Sequence, residues 1–342
     1  MSRVAKPVNA GIVGFGKMGV LHAGILNALP DCKVKAICET EPLIRKIASK
    51  ALPQVGFYDS PFDMATQESL DAVYVTTPIP SHVSVVTELV RSGKRLGLFV
   101  EKPLAGSVQE AQQIVEMASR FATTDMIGFQ KRFLPQFARA KELLDEGALG
   151  EVTSFHGYSY LASIFSKGRG WRFKKGEGGA LLDLGSHLID LVIWYFGLPS
   201  SITARESSTY SELVDDSAHV EFGFKENISG SVDVSWSKEG YRLPETWLEI
   251  SGPNGTLKVS DDVLELNIAK EIIGLARAGR SVLRRPELIQ GVDFLLGDPE
   301  YCLEDEQFLS ALRSGSHTAP SLEDGVGVNK VIELAHTVAA KG

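Results

Sequence analysis

The stretch AGIVGFGKMGVLHAGIL, residues 10–26, decides the fold. Its first four residues are small or β-branched, as in a buried strand. Gly14, Gly16 and Gly19 then stand in G-x-G-x-x-G spacing, and an apolar helical pattern follows. Alone the spacing is weak; between a strand and a helix it reads as a dinucleotide fingerprint. Gly14 allows the tight turn, Gly16 admits a pyrophosphate and Gly19 lets helix pack on strand. Phe15, Lys17 and Met18 complete the loop, whose helix N-terminus faces the phosphates. The next strand, KVKAICE, ends at Glu39, 20 residues beyond Gly19. An acid at that distance binds the adenine-ribose hydroxyls of NAD and repels the 2′-phosphate of NADP. No arginine follows at once, Arg45 being six residues later, so NAD is expected over NADP.

Outward from the loop, the first third alternates apolar runs (AVYVTT, RLGLFVEKP) with helical segments (PLIRKIASKAL, HVSVVTELVRSG, SVQEAQQIVEMASRF). Nearly continuous apolar strands between helices mean a parallel sheet covered on both faces. After about residue 127 the strands alternate instead. In GSVDVSWS, Val232, Val234 and Trp236 face one way and Ser231, Asp233 and Ser235 the other. That pattern is a half-covered, mainly antiparallel sheet. An α/β chain is expected: a doubly wound domain over 1–126, then an α+β domain with an open sheet over 127–342. Residues 269–300 fit neither pattern and read as a basic helix followed by a loop.

The totals exclude several classes. At 44% hydrophobic and 23% charged the 342 residues suit an ordinary globular protein, and a net charge of −8 favours neither nucleic acid nor an acidic membrane surface. The three cysteines have no CxxC spacing, so neither a zinc site nor a disulfide framework is expected. With no signal core at the N-terminus and no apolar run of spanning length, a cytoplasmic protein without metal is expected.

One helix carries unusual cargo. EGGALLDLGSHLIDLVIWYFG, residues 177–197, is apolar all round and therefore buried, yet it holds Asp183, His187 and Asp190 on one narrow stripe. Ionisable groups in such a place must be paired or put to use. The loop before it, SKGRGWRFKKGE, sets Lys167, Arg169, Arg172, Lys174 and Lys175 against the single acid Glu177. It is either a solvated loop or a seat for an anionic substrate group. Glu101-Lys102-Pro103 closes a strand before a helix, preceded by TTPIPSH at 76–82 and followed by GFQKRF at 128–133.

With these motifs the chain resembles the glucose–fructose oxidoreductase / inositol dehydrogenase / MocA family over nearly its whole length. The resemblance implies a Rossmann domain, a second domain on an open antiparallel sheet, and NAD(P)-linked oxidation of a sugar or cyclitol alcohol. It implies that Lys102 contacts nicotinamide ribose and substrate, and that Asp183 and His187 complete the site. Thr76, Thr77, Pro78, His82 and Glu101 fall at the cofactor edge, with capping or packing of the helix after TTPIPS the other reading for His82, and Arg132, Arg169, Trp171 and Arg172 on the substrate side. The chain departs from the family at Ile79, where Asn is usual, and at Gln130 and Lys131, where Asn and Arg are common. Those departures touch one cofactor contact and the identity of the substrate.

Under that resemblance His187 is expected to be the acid/base group, its ordinary pKa suiting neutral pH. Lys102 would stabilise the developing alkoxide, or itself move the proton. Asp190 would orient His187 or cap a neighbouring loop. His22 would be structural or line the cofactor pocket, and His219 would face solvent or the sheet surface. The expected partner is a polyol, sugar or nucleotide sugar, with a homodimer or homotetramer formed on the open sheet. Two alternatives are an NAD-dependent glycoside hydrolase with no net NADH and a non-catalytic nucleotide-binding regulator.

Overall fold

The computed structural model describes residues 6–225, 227–289 and 299–341. They form two compact units: residues 1–129 with 301–326, and residues 130–300 with 327–342. The segment 301–326, expected with the second domain, therefore belongs to the first unit. Gly97 shows the packing: a Cβ there would lie 2.8 Å from Leu312 and 3.2 Å from Phe308.

Unit 1 runs β1 (Val8–Val13), α1 (Lys17–Ala28), β2 (Cys32–Cys38), α2 (Pro42–Ala51), β3 (Gly56–Tyr58), α3 (Pro61–Gln67), β4 (Ala72–Val75), α4 (His82–Arg91), β5 (Leu96–Glu101), α5 (Val108–Phe121) and β6 (Ala122–Gly128). The six strands pair in parallel in the order β3-β2-β1-β4-β5-β6. Every residue of β4 and β5 is buried, as a strand covered on both faces requires. The helices begin where local chemistry dictates. Ser107 Oγ accepts the Glu110 N–H at the start of α5, and Pro61 follows the Ser60 cap of α3. The strand order reverses between β1 and β4, where doubly wound sheets bind ligands.

Unit 2 contains α6 (Pro135–Asp145), β7 (Ser154–Tyr160), α7 (Ala180–Asp183), α8 (Gly185–Phe196), β8 (Ser201–Ser207), β9 (Ser217–Gly223), β10 (Ser229–Ser235), β11 (Glu245–Gly252), β12 (Gly255–Ser260), β13 (Val263–Ile268), β14 (Gly279–Arg284) and α9 (Arg285–Leu288). The chain closes with α10 (Pro299–Ser314) and α11 (Leu322–Ala339). The eight strands are ordered β14-β13-β12-β11-β7-β10-β9-β8, all antiparallel except the β7–β10 pair. Val232, Val234 and Trp236 are buried, as the alternation requires. On the other face Tyr158 stacks on Tyr160 and Trp247, with all three rings partly exposed.

The expectation of a basic helix over 269–300 is corrected. Residues 279–284 are the edge strand β14, a single turn of helix covers Arg285–Leu288, and residues 299–300 open α10; 290–298 lie outside the described residues. The arginines of β14 mark an edge strand, where charge discourages pairing with another chain. Arg280 spans both carboxylate oxygens of Glu265 on β13 at 2.8 Å.

Candidate active site

Unit 1 builds a cradle at the C-terminal ends of β1 and β4. Gly14 has φ +91°, and a Cβ there would lie 2.8 Å from Thr77. A Cβ on Gly19 would stand 2.0 Å from the Gly14 carbonyl oxygen, so only glycine lets α1 pack this closely. Gly16 is different: its Cβ would meet nothing within 4 Å, which leaves open space over the N-terminus of α1. No side chain caps that terminus.

Glu39 stands beside the loop at the end of β2. One carboxylate oxygen accepts the Phe15 N–H and the other the Glu41 N–H, each at 2.8 Å. Two amides fix the carboxylate in place and leave lone pairs for hydroxyl donors. Arg45 donates to the main-chain oxygen of Glu39 and lies 3.7 Å from Asp59. Thr77 Oγ1 is buried with no partner among the described residues. An open phosphate seat, an anchored acid and an orphaned hydroxyl fit a dinucleotide.

Three expected cofactor contacts have other employment. Thr76 Oγ1 donates to the backbone of the glycine loop, 2.7 Å from the Gly14 oxygen. Both ring nitrogens of His82 face main-chain carbonyls, those of Leu104 at 3.0 Å and Thr77 at 2.9 Å. Burial holds that ring below the ordinary imidazole range. Glu101 turns inward: one oxygen is 3.0 Å from His22 Nε2 and the other accepts the Lys102 N–H at 3.1 Å. These side chains shape the cradle from behind because each is buried against the groups it bonds. Pro78 follows Thr77, and Ile79 is buried. Lys102 directly follows β5 and is half-buried.

Unit 2 holds the other expected residues. The single helix expected over 177–197 is two, α7 and α8, interrupted at Leu184. Gly185 weakens the helix there and lets the backbone approach β10, since a Cβ would lie 3.0 Å from Val234. Asp183 thus ends α7, while His187 and Asp190 lie on α8. Asp190 is fully buried and receives Arg132 Nε and Nη2 on its two oxygens at 2.9 and 2.6 Å. Arg132, expected on the substrate side, is also buried, its guanidinium 5.5 Å from the Trp194 ring centre. Asp190 therefore pairs with Arg132, a partner that neither expectation for it named.

His187 is buried and Asp183 half-buried. Arg172 Nε lies 3.1 Å from Asp183 Oδ2. The Arg172 backbone is tied to the same segment: its carbonyl accepts the Gly179 N–H at 3.1 Å and fills the place a Gly178 Cβ would need. Of the loop cations, Lys167 meets Glu212, Arg172 meets Asp183 and Lys174 meets Glu177 at 3.4 Å. Arg169 and Lys175 are exposed, and Trp171 lies 5.5 Å under the Arg172 guanidinium. The loop is thus more nearly neutral than its sequence suggests.

Asp215 was not anticipated. It is buried, its carboxylate accepts the Leu181 N–H at 2.7 Å and its carbonyl the Ala180 N–H at 2.9 Å, so it fixes the start of α7. Burial pushes its carboxyl up to about 6. Its place in a polar loop, far from α7 in sequence, offered no local signal.

Comparison with known proteins agrees with this fold. Residues 8–129 match the profile described as the oxidoreductase family with NAD-binding Rossmann fold, and residues 137–258 that of the GFO/IDH/MocA C-terminal domain. Inositol 2-dehydrogenase of Rhizobium meliloti is 24% identical over 98% of both chains. Levoglucosan dehydrogenase of Pseudarthrobacter phenanthrenivorans is 25% identical over 98% of this chain and 96% of its own. An uncharacterized oxidoreductase of Schizosaccharomyces pombe is 30% identical, the match spanning 59% of this chain and only 55% of that protein. A solved levoglucosan dehydrogenase, in complex with NADH and levoglucosan, shares the fold with a TM-score of 0.87 at 24% identity over 98% of each chain. Among the described residues no helix is long and apolar enough to cross a membrane.

Proposed function

The chain belongs to the GFO/IDH/MocA family of NAD-binding oxidoreductases, and from that premise we propose that it oxidises a secondary alcohol of a sugar, nucleotide sugar or inositol, or reduces the corresponding ketone. The observation that carries the reading lies within unit 1. The glycine cradle after β1 and Lys102 after β5 stand on the same, C-terminal edge of one parallel sheet. Ligands bind at that edge. The named activities of the inositol and levoglucosan dehydrogenases support the substrate range.

NAD, when bound, supplies the redox chemistry. The chain's own groups do the rest. The open seat at Gly16 takes the phosphates, and Glu39 takes the adenine-ribose hydroxyls. Lys102 supplies positive charge to the oxygen that develops as alkoxide. His187 takes the hydroxyl proton in oxidation and returns it in reduction. Asp183 accepts a hydrogen bond from a neighbouring substrate hydroxyl, held in orientation by Arg172. Arg132 and Asp190 support α8 rather than touch substrate. The partly exposed aromatic face of the second sheet supports assembly into a homodimer or homotetramer.

The test is reduction of NAD, followed by absorbance of the reduced cofactor, with inositols, aldoses, sugar acids and nucleotide sugars. Activity with one class is expected, falling about 10²- to 10⁴-fold in Lys102→Ala and in His187→Ala. Undiminished turnover in both variants would remove them from the chemistry. Release of sugar without net cofactor reduction would point to the hydrolytic alternative.

A further inference from the structure

Beneath Lys102 lies a charged cluster that the proposed reaction does not use. His22, on α1, is fully buried. Its Nδ1 is 2.9 and 3.1 Å from the two oxygens of Asp305, and its Nε2 is 3.0 Å from Glu101 Oε1. Asp305, on α10, is also fully buried and stands 283 residues along the chain. The imidazole is boxed by aromatic rings, with Phe99 at 5.1 Å, Tyr74 at 5.5 Å and Tyr301 at 6.3 Å between centres. The His22 and Asp305 side chains are shielded from solvent.

Hydrogen-bond counting restricts the ring's state. A neutral imidazole has one N–H, and each of these nitrogens faces a carboxyl oxygen. Both contacts are good only if the ring carries two protons or if a carboxyl carries the missing one. Burial lowers the pKa of His22, but Asp305 and Glu101 outweigh it and raise it well above the ordinary imidazole range. Burial raises Asp305. The cluster therefore retains a proton between ring and acids.

The second oxygen of Glu101 leads to the site. It accepts the Lys102 N–H at 3.1 Å, and Gly128 at the end of β6 leaves room for it, since a Cβ there would be 3.1 Å away. We propose that His22 is a positioning residue for Lys102, acting through Glu101, with Asp305 as its charge partner. The proposal rests on the reading of Lys102 as the electrostatic group of the reaction. It explains why residues 301–326 fold onto unit 1: α10 delivers the acid that holds the imidazole. It also links α1, whose N-terminus forms the cofactor seat, to the residue after β5.

Asp305→Asn and His22→Gln keep approximate shape and remove charge. Both are expected to lower kcat about tenfold or more while KM and the NAD dissociation constant stay within about twofold, because the interaction lost orients the reacting residue only. Phe308→Leu, in the same core but uncharged, is expected to lower the melting temperature and leave kcat unchanged. Normal kcat in folded Asp305→Asn and His22→Gln would overturn the proposal. A Lys102→Ala protein with full activity would instead remove the reading of Lys102 on which it rests. Should neither charge variant fold, ¹⁵N spectra of histidine-labelled wild type decide the matter. An N–H at both ring nitrogens of His22 above neutral pH is expected, and a ring with a single N–H would overturn the charged clamp.

Discussion

The two units hold their buried charges with different balances. In unit 1 one imidazole lies between two carboxylates, so cation and acids are unequal in number. In unit 2 one guanidinium grips one carboxylate through two parallel bonds, with side-chain exposures of 6% for Arg132 and 0% for Asp190. The first arrangement can gain or lose a proton; the second cannot at any ordinary pH, because guanidinium stays charged. A balanced pair suits a helix that must only be held in place. An unbalanced cluster stays sensitive to whatever charge arrives near it.

The largest expected effect breaks the balanced pair. Arg132→Leu leaves the Asp190 carboxylate buried without its guanidinium and is expected to lose about 3–5 kcal/mol of stability. The double variant Arg132→Leu/Asp190→Leu should recover most of it, since removing both partners leaves no buried charge. Denaturant midpoints of the three proteins measure this. A single-variant loss below about 1 kcal/mol would erase the contrast between the units.

Asp215, also in unit 2, is a buried acid whose carboxylate takes a backbone amide rather than a cation. Its carboxyl lies at about 6 in the folded protein against 3.8 as the ordinary value. The folded state thus holds that proton more tightly than the unfolded state. Wild-type stability falls as pH rises from about 4 to about 6 and loses no more from this group above that. The difference corresponds to about 3 kcal/mol. Asp215→Asn can still accept the Leu181 N–H and does not titrate. It is therefore expected to gain up to that amount on wild type at pH 8, and much less at pH 4, in urea unfolding. The same gain at both values would show that the burial cost is relieved, for instance by His336, which lowers the Asp215 pKa.

The parallel domain was legible in the sequence because its signals are local. Continuous apolar strands, a glycine triplet and an acid 20 residues on need no distant information. The antiparallel sheet was half legible: β7, β10 and β11 alternate cleanly, whereas β14 carries the arginines of an edge strand and reads as a basic helix. The polar anchors were opaque. Nothing near His22 names Asp305, and nothing near Asp190 names Arg132, 58 residues earlier. The stripe of Asp183, His187 and Asp190 correctly marked buried charge. It could not say that Gly185 splits the helix or that Asp183 and Asp190 each pair with an arginine. For Thr76, His82 and Glu101, position beside the cofactor loop was readable, but the direction of the side chain was not.

Glu39 offers the finest test of what separates the units, because it is a third kind of held acid. Its two oxygens are fixed by the amides of Phe15 and Glu41, which orient the carboxylate without neutralising it. It therefore presents a full negative charge where the adenine ribose would sit. Hydroxyls donate to that charge, and a 2′-phosphate is repelled by it. Arg45 donates to the main-chain oxygen of the same residue and lies beside Asp59, so it is not arranged to offset the repulsion. Glu39→Gln keeps an acceptor for one amide and loses the charge. NAD affinity is expected to fall about tenfold, about 1.4 kcal/mol, as charge-assisted bonds become neutral ones. NADP affinity should hold or rise, narrowing the preference. Dissociation constants for both cofactors, measured by quenching of intrinsic fluorescence, give the ratio directly. An unchanged ratio would mean that the two amides already spend the charge of Glu39, making it an anchor of the same kind as Asp190 rather than a reader of the cofactor.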